Sequence, residues 1–241
     1  MASDLAVLAE DGSGRGHRTL AEKAFDTLHT AIITGQLRPG TRLPIEELAE
    51  VLEMSPMPIR EAVRRLDSAG LVENIPHRGA RVTELSITDL AEVVEARLAL
   101  EVLAIRRAAE RFDEAHERRA RECLIALNSL PDDNSAATSA AHAAFHFALY
   151  EAADSGWLIR LIRPVWETSE RYCLEVPSCR QLVGRRHEHE AILGACVAHD
   201  PDRAAISLHD HLATTANSIA VTMGGDKLFA LGGQVAAGLS G

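Results

Sequence analysis

The residues best suited to chemistry in this 241-residue chain are histidines. The stretch "HAAFH" sets His142 and His146 four positions apart in an alanine-rich, uncharged segment. On a helix that spacing puts both imidazoles on one face, with Cβ atoms about 6 Å apart. The pair suits two ligands of one ion or a catalytic couple, and in a chain with 11 histidines it is also compatible with chance. Two more histidines add geometry. The break between the last two helical segments centres on Asp200, with His189 11 residues before it and His211 11 after it. In an antiparallel hairpin both then stand about 16 Å from the turn, at matching height.

The faces agree as well. His189 shares a stripe with Ile192, Leu193 and Cys196; His211 shares one with Leu208, Leu212 and Thr215; His146 shares one with Phe145 and Leu149. All three point toward a core, whereas His187 and His209, two positions away, read as surface residues. Buried neutral histidines without partners are costly, so their convergence favours a shared divalent metal. With His142 as fourth member the site is neutral and suits Zn²⁺ or Ni²⁺, or Cu²⁺, better than harder ions. It also leaves the full 2+ charge to an anionic ligand. Glu188 and Glu190 flank His189, but adjacent helix positions face different ways, so neither is placed as a general base. That weighs against the alternative of a metal-dependent hydrolase.

These histidines need helices to hold them. Composition fits: 46% of residues are hydrophobic, only 4% aromatic, which points to helices packed by aliphatic side chains. Residues 1–17 are polar and glycine-containing and read as a flexible arm. Apolar periodicity predicts helices near 20–34, 45–52 and 56–69, followed by two short strands around the turn "PHRG" (76–79). Ser55 is positioned to cap the third helix, and Pro56 suits its first turn. Helices near 87–111, 113–129, 135–154, 156–174, 180–199 and 201–222 follow, then a glycine-rich tail.

The expected fold class is therefore mainly α: an N-terminal winged helix-turn-helix over 18–85 and a C-terminal antiparallel helical bundle over 86–223, with a flexible tail over 224–241. Net charge is −10, yet residues 18–83 balance nine Lys+Arg against nine Asp+Glu, so the acidity sits largely in 84–241. A neutral module with clustered arginines beside an acidic one is compatible with nucleic-acid binding. No membrane-spanning run and no signal peptide are visible, so a cytoplasmic location is expected. Cys123, Cys173, Cys179 and Cys196 form no close pair and read as reduced thiols.

The stretch "GQLRPGTRLPIEELAEVLEMSPMPIREAVRRLDSAGLVENIPHRGARVTEL" resembles the DNA-binding domain of GntR-type bacterial transcriptional regulators. The resemblance implies that the third helix enters the major groove of a two-fold operator and that the wing tip reaches the minor groove. Carried over by position, Arg42, Ser55, Met57, Arg60, Arg64, His77, Arg78 and Gly79 are the expected DNA-binding residues. The family usually has Ser-Arg-Thr-Pro where this chain has Ser55-Pro56-Met57-Pro58, so two familiar DNA contacts are missing. "VVEARLALE", "AAFHFALYEAA" and "RRHEHEAILGACVAHDPDRAAISLHDHL" resemble the all-helical effector domain of the FadR-like branch. In that branch an Asp and three His hold a metal, which maps onto His142 in the Asp position, His146, His189 and His211. The resemblance further implies a homodimer, a small carboxylate effector near Arg97 and Tyr172, and regulation of transcription, with repression expected. A DNA-binding protein with a purely structural bundle is the blander alternative. From its residues alone, Arg97 is equally a partner for Glu101 at i+4.

Overall fold

Helix starts in this chain are set by side chains that take up the first free backbone N–H groups. Thr19 and Glu22 form a reciprocal capping box at the head of α1 (Leu20–Ile33). The computed structural model describes residues 5, 7, 8, 19–75, 79–131, 135–176 and 185–232. The chain divides into two compact units, 1–85 and 86–241.

In the first unit α1 is followed by β1 (Arg42–Leu43), α2 (Ile45–Val51), α3 (Pro56–Ser68), β2 (Val72–Ile75) and β3 (Gly79–Val82). The sequence predicts a two-stranded hairpin, but the sheet has three antiparallel strands in the order β1-β3-β2. The extended segment before α2 is β1, which pairs Arg42 with Arg81 and Leu43 with Ala80. Leu28, Ile32, Leu48, Ile59, Leu66 and Val82 form the buried centre. Leu5 and Leu8 belong to the same core, which corrects the reading of residues 1–17 as a uniformly flexible arm. Their apolar side chains gain more from burial than the polar remainder of that segment suggests.

The second unit contains α4 (Ile87–Arg111), α5 (Glu114–Asn128), α6 (Ala136–Glu151), α7 (Gly156–Glu175), α8 (Arg185–Val197) and α9 (Pro201–Thr222). Ser86 caps α4, Ser135 caps α6, and Asp200 caps α9 with Pro201 in its first turn. Helix α4 packs on α9 and α7, α5 on α6, and α8 on α9. Aliphatic residues together with Phe145, Tyr150 and Trp166 fill the core. The fold is thus mainly α, a winged helix-turn-helix followed by a helical bundle. Among the described residues no helix is long and apolar enough to cross a membrane.

Two expectations change in this unit. Cys123 and Cys196 are free, but Cys173 is disulfide-bonded. Sequence spacing alone cannot show whether two sulfurs reach bonding distance. The segment after α9 is not loose throughout. Asn217 Oδ1 accepts from the backbone N–H of Leu228 at 2.7 Å and of Phe229 at 2.9 Å, while its Nδ2 donates to Phe229 O at 2.8 Å. One buried amide therefore binds this stretch to the helix, and residues 233–241 lie outside the described set. Replacing Asn217 by Ala removes three hydrogen bonds and is expected to cost about 1–3 kcal/mol. Hydrogen exchange should show the Leu228 and Phe229 amides losing protection in the variant while those of α8 keep theirs.

Candidate functional site

On the first unit, α3 presents an exposed face bearing Met57, Arg60 and Arg64, with Met57 72% exposed. Arg60 Nη2 lies 3.3 Å from Glu46 on α2, and Arg64 Nη2 lies 2.7 Å from Glu61 one turn back. That bond holds the exposed Glu61 carboxyl below its usual range and raises the Arg64 guanidinium. Arg65 leans away, its guanidinium 4.0 Å from the Phe25 ring centroid. Ser55 occupies the N-cap position, yet its side chain makes no capping bond. An N-cap hydroxyl normally accepts from the second or third helical N–H, and Pro58, at the third, has none, which leaves only that of Met57. The Ser55 side chain therefore remains exposed at the leading end of α3, as does Arg42 on β1 and Gly79 at the start of β3. His77 and Arg78, expected at the wing tip, lie outside the described residues.

In the second unit the four histidines meet. His142 and His146 come from α6, His189 from α8 and His211 from α9. One ring nitrogen of each lies within 4.8 Å of the others. His146, His189 and His211 are buried and His142 is partly so. Four nitrogens each about 2.0–2.1 Å from one ion sit roughly 3.4 Å apart, so ångström-scale ring adjustments suffice to close on one. His146 Nε2 is buried without a hydrogen-bond partner, as expected of an atom kept for a ligand.

The outer nitrogens have neighbours that periodicity did not reveal. His211 Nδ1 lies 2.8 Å from Glu188 Oε2. His142 Nδ1 lies 3.7 Å from Oε1 of Glu170, a buried carboxylate on α7. His146 Nδ1 lies 3.2 Å from the Tyr150 hydroxyl. The His211 and His146 contacts are at hydrogen-bond distance, the kind of second-nitrogen pairing that metal-ligating histidines characteristically make, whereas the His142 contact is longer. Glu188 does reach the cluster, because it crosses from α8 to α9 and contacts His211 rather than its neighbour in sequence. The carboxyl groups of Glu170 and Glu188 thus lie beside the rings.

Arg97, on α4, is 5% exposed and hydrogen-bonded through all three of its guanidinium nitrogens. Its Nε and Nη2 donate to Glu101 at 2.6 and 3.2 Å, and its Nη1 donates to Ser169 Oγ at 2.6 Å. Its guanidinium stands 4.4 Å from the Trp166 ring, which itself lies 5.0 Å from His146. Arg97 is thus one ring removed from the centre, with three of its five N–H donors directed at Glu101 and Ser169. Tyr172 is directed elsewhere: its hydroxyl lies 2.5 Å from Asp89 Oδ2 and accepts from Ser86 N–H at 3.3 Å. Burial, followed by the contact with Asp89, raises the Tyr172 phenol, and the Ser86 backbone partly opposes the rise.

A winged helix-turn-helix followed in the chain by a helical bundle with a polar centre is the domain plan of two-part DNA-binding regulators. Comparison with known proteins makes this specific. Residues 20–82 match the family "Bacterial regulatory proteins, gntR family" and residues 92–214 match the FCD domain, so the chain belongs to the GntR family and carries an FCD domain. It is 31% identical over 204 residues to the "Uncharacterized HTH-type transcriptional regulator BphR" of Paraburkholderia xenovorans, covering 81% of this chain and 83% of that one. It is 30% identical over 208 residues to the "Probable D-xylose utilization operon transcriptional repressor" of Paenarthrobacter nicotinovorans, covering 86% and 92%. The solved structure of Escherichia coli McbR/YncC shares the fold, with a TM-score of 0.73 at 22% identity over 86% of this chain and all of that one. The protein is a transcriptional regulator of this family.

Burial, then the charges of His142, His189, His211 and Arg97, hold the His146 imidazole well below its ordinary 6.5. In metal-free protein the unfolded chain gains that proton below about pH 6.5 while the folded chain does not, so stability is present above this pH and lost beneath it. The melting temperature of chelator-treated protein should fall between about pH 7 and about pH 5.5. An equal fall in His146→Gln would contradict this origin.

Proposed function

We propose that this regulator is a cytoplasmic homodimeric repressor whose FCD domain holds a divalent metal and answers a small carboxylate effector by changing its affinity for a two-fold operator. The observation that carries the reading is the convergence of four histidines from three helices on one buried point. Burying that many imidazoles is costly unless something shared satisfies them. The donor set of nitrogens suits Zn²⁺ or Ni²⁺. Bound there, the ion brings α6, α8 and α9 together and offers a coordination position to an oxygen ligand. Arg97 is occupied by Glu101, so the effector's carboxylate is recognised mainly at the centre itself, by chelation, and less by a guanidinium.

Helix α7 connects this centre with the start of the bundle. It contributes Trp166, Ser169 and Glu170 at one level, and Tyr172, a few residues on, binds Ser86 and Asp89 at the head of α4. A ligand that shifts α7 therefore bears on the residues that directly follow the DNA-binding unit in the chain. On the DNA side, Arg60 and Arg64 exchange glutamate partners for phosphate or guanine, Ser55 and Arg42 reach the backbone, and Met57 and Gly79 border the bases. His77 and Arg78 extend the contact at the wing. Repression is favoured by the description of the Paenarthrobacter relative as a repressor. The dimer follows from the symmetry that such operators require.

Two measurements test this. Untagged protein purified without chelator should carry about one metal per chain, lost in His146→Ala; no uptake in either, even after incubation with Zn²⁺ or Ni²⁺, would remove the metal from the reading. Arg64→Ala should weaken operator binding and lower the slope of log K against log salt by about 1, without abolishing metal binding. A carboxylate panel that leaves operator affinity unchanged in metal-loaded protein would remove the effector.

A further inference from the structure

We propose that Tyr150, backed by Glu101 and Arg97, is a positioning residue that fixes the tautomer of His146 and directs its Nε2 lone pair into the histidine centre. The inference rests on the metal reading above. It follows from counting protons. A phenol has one hydrogen to donate. The Tyr150 hydroxyl lies 2.6 Å from Glu101 Oε2 and 3.2 Å from His146 Nδ1. Glu101 is fully buried and paired through both oxygens with Arg97, so it stands as a carboxylate that only accepts. The phenol proton goes to Glu101. What remains for His146 is an oxygen lone pair, and contact at that distance then requires Nδ1–H as donor. A neutral imidazole carries one such proton, so Nε2 is left bare. That atom is buried and has no hydrogen-bond partner.

The alternative tautomer would set Nδ1 and the phenol oxygen lone pair to lone pair while burying an Nε2–H among three other imidazoles. The chain is also held rigidly. Arg97 is pinned by Ser169 and lies over Trp166, so α4, α6 and α7 all bear on the orientation of one ring. Tyr150 follows His146 by four residues, on the same face of α6, which places the hydroxyl beside the ring before any long-range contact forms. A histidine preset in this way enters the coordination shell without first moving its proton.

The test uses full-length Tyr150→Phe, which removes only the hydroxyl. The variant should still bind one Zn²⁺ or Ni²⁺ at saturation, with Kd raised about 10–100-fold. In metal-free wild type, two-bond ¹H–¹⁵N spectra should show His146 as the Nδ1–H tautomer, and in the variant a shift toward Nε2–H. A simple packing defect would lower the melting temperature without moving the tautomer. An Nε2–H tautomer in wild type overturns the inference, and needs no variant to fold. An unchanged Kd in Tyr150→Phe overturns it as well while leaving the metal reading intact, whereas wild type that takes up neither ion overturns the metal reading itself.

Discussion

Each imidazole brings two nitrogens that must be satisfied, and the bundle of this regulator buries three such rings and part of a fourth among Leu, Ile, Ala and Phe side chains. Water, the usual partner, is displaced by the packing that stabilises the helices. The arrangement of the FCD domain follows from how that demand is divided. The inner nitrogens gather at one point, while outer nitrogens meet Glu188, Glu170 and Tyr150 on three different helices. Polar groups that would otherwise oppose burial thereby become the contacts that set the rotation of α6, α7, α8 and α9 about one another. A helical bundle held by aliphatic packing alone tolerates repacking; one that also has to satisfy four rings has far less freedom.

The Arg97–Glu101 pair extends the same logic away from the centre. A buried ion pair is costly to desolvate and is justified energetically only when its remaining donors and acceptors are also used. Here several are: Ser169 takes one guanidinium N–H, Tyr150 donates to the carboxylate, and Trp166 covers the guanidinium face. The pair thus joins α4 to α6 and α7, and the same α7 reaches the head of α4 through Tyr172. Ligand chemistry at the centre and the backbone at Ser86 are connected by packed, hydrogen-bonded elements of one unit, as transmission of a binding event requires.

In the DNA-binding unit a covalent constraint takes the place of a buried one. Two prolines in the first turn of α3 supply the right backbone angle and remove N–H donors in one step. Ser55 occupies a cap position with one of its two usual donors removed and makes no capping bond, and Met57 is left exposed between two prolines. The leading end of the helix is therefore shaped for contacts by side chains, with little contribution from its own backbone.

Much of this was legible in the sequence because it depends on local periodicity. Apolar spacing located the helices and the winged module, and equal distances from Asp200 put His189 and His211 at one height on an antiparallel hairpin. The spacing of Arg97 and Glu101 offered their pairing, and packing decided it. Contacts between elements far apart in the chain were not legible: β1 joining the sheet beside β3, Leu5 and Leu8 entering the core, Asn217 holding Leu228 and Phe229. The same holds for Glu188 reaching His211, Glu170 facing His142, and Tyr172 turning to Ser86. Periodicity says which face of a helix is buried but not what will lie opposite it. That is decided only when whole helices rotate and slide to fill space, so the inner ring of this centre was written in its sequence and the outer ring only in its tertiary structure.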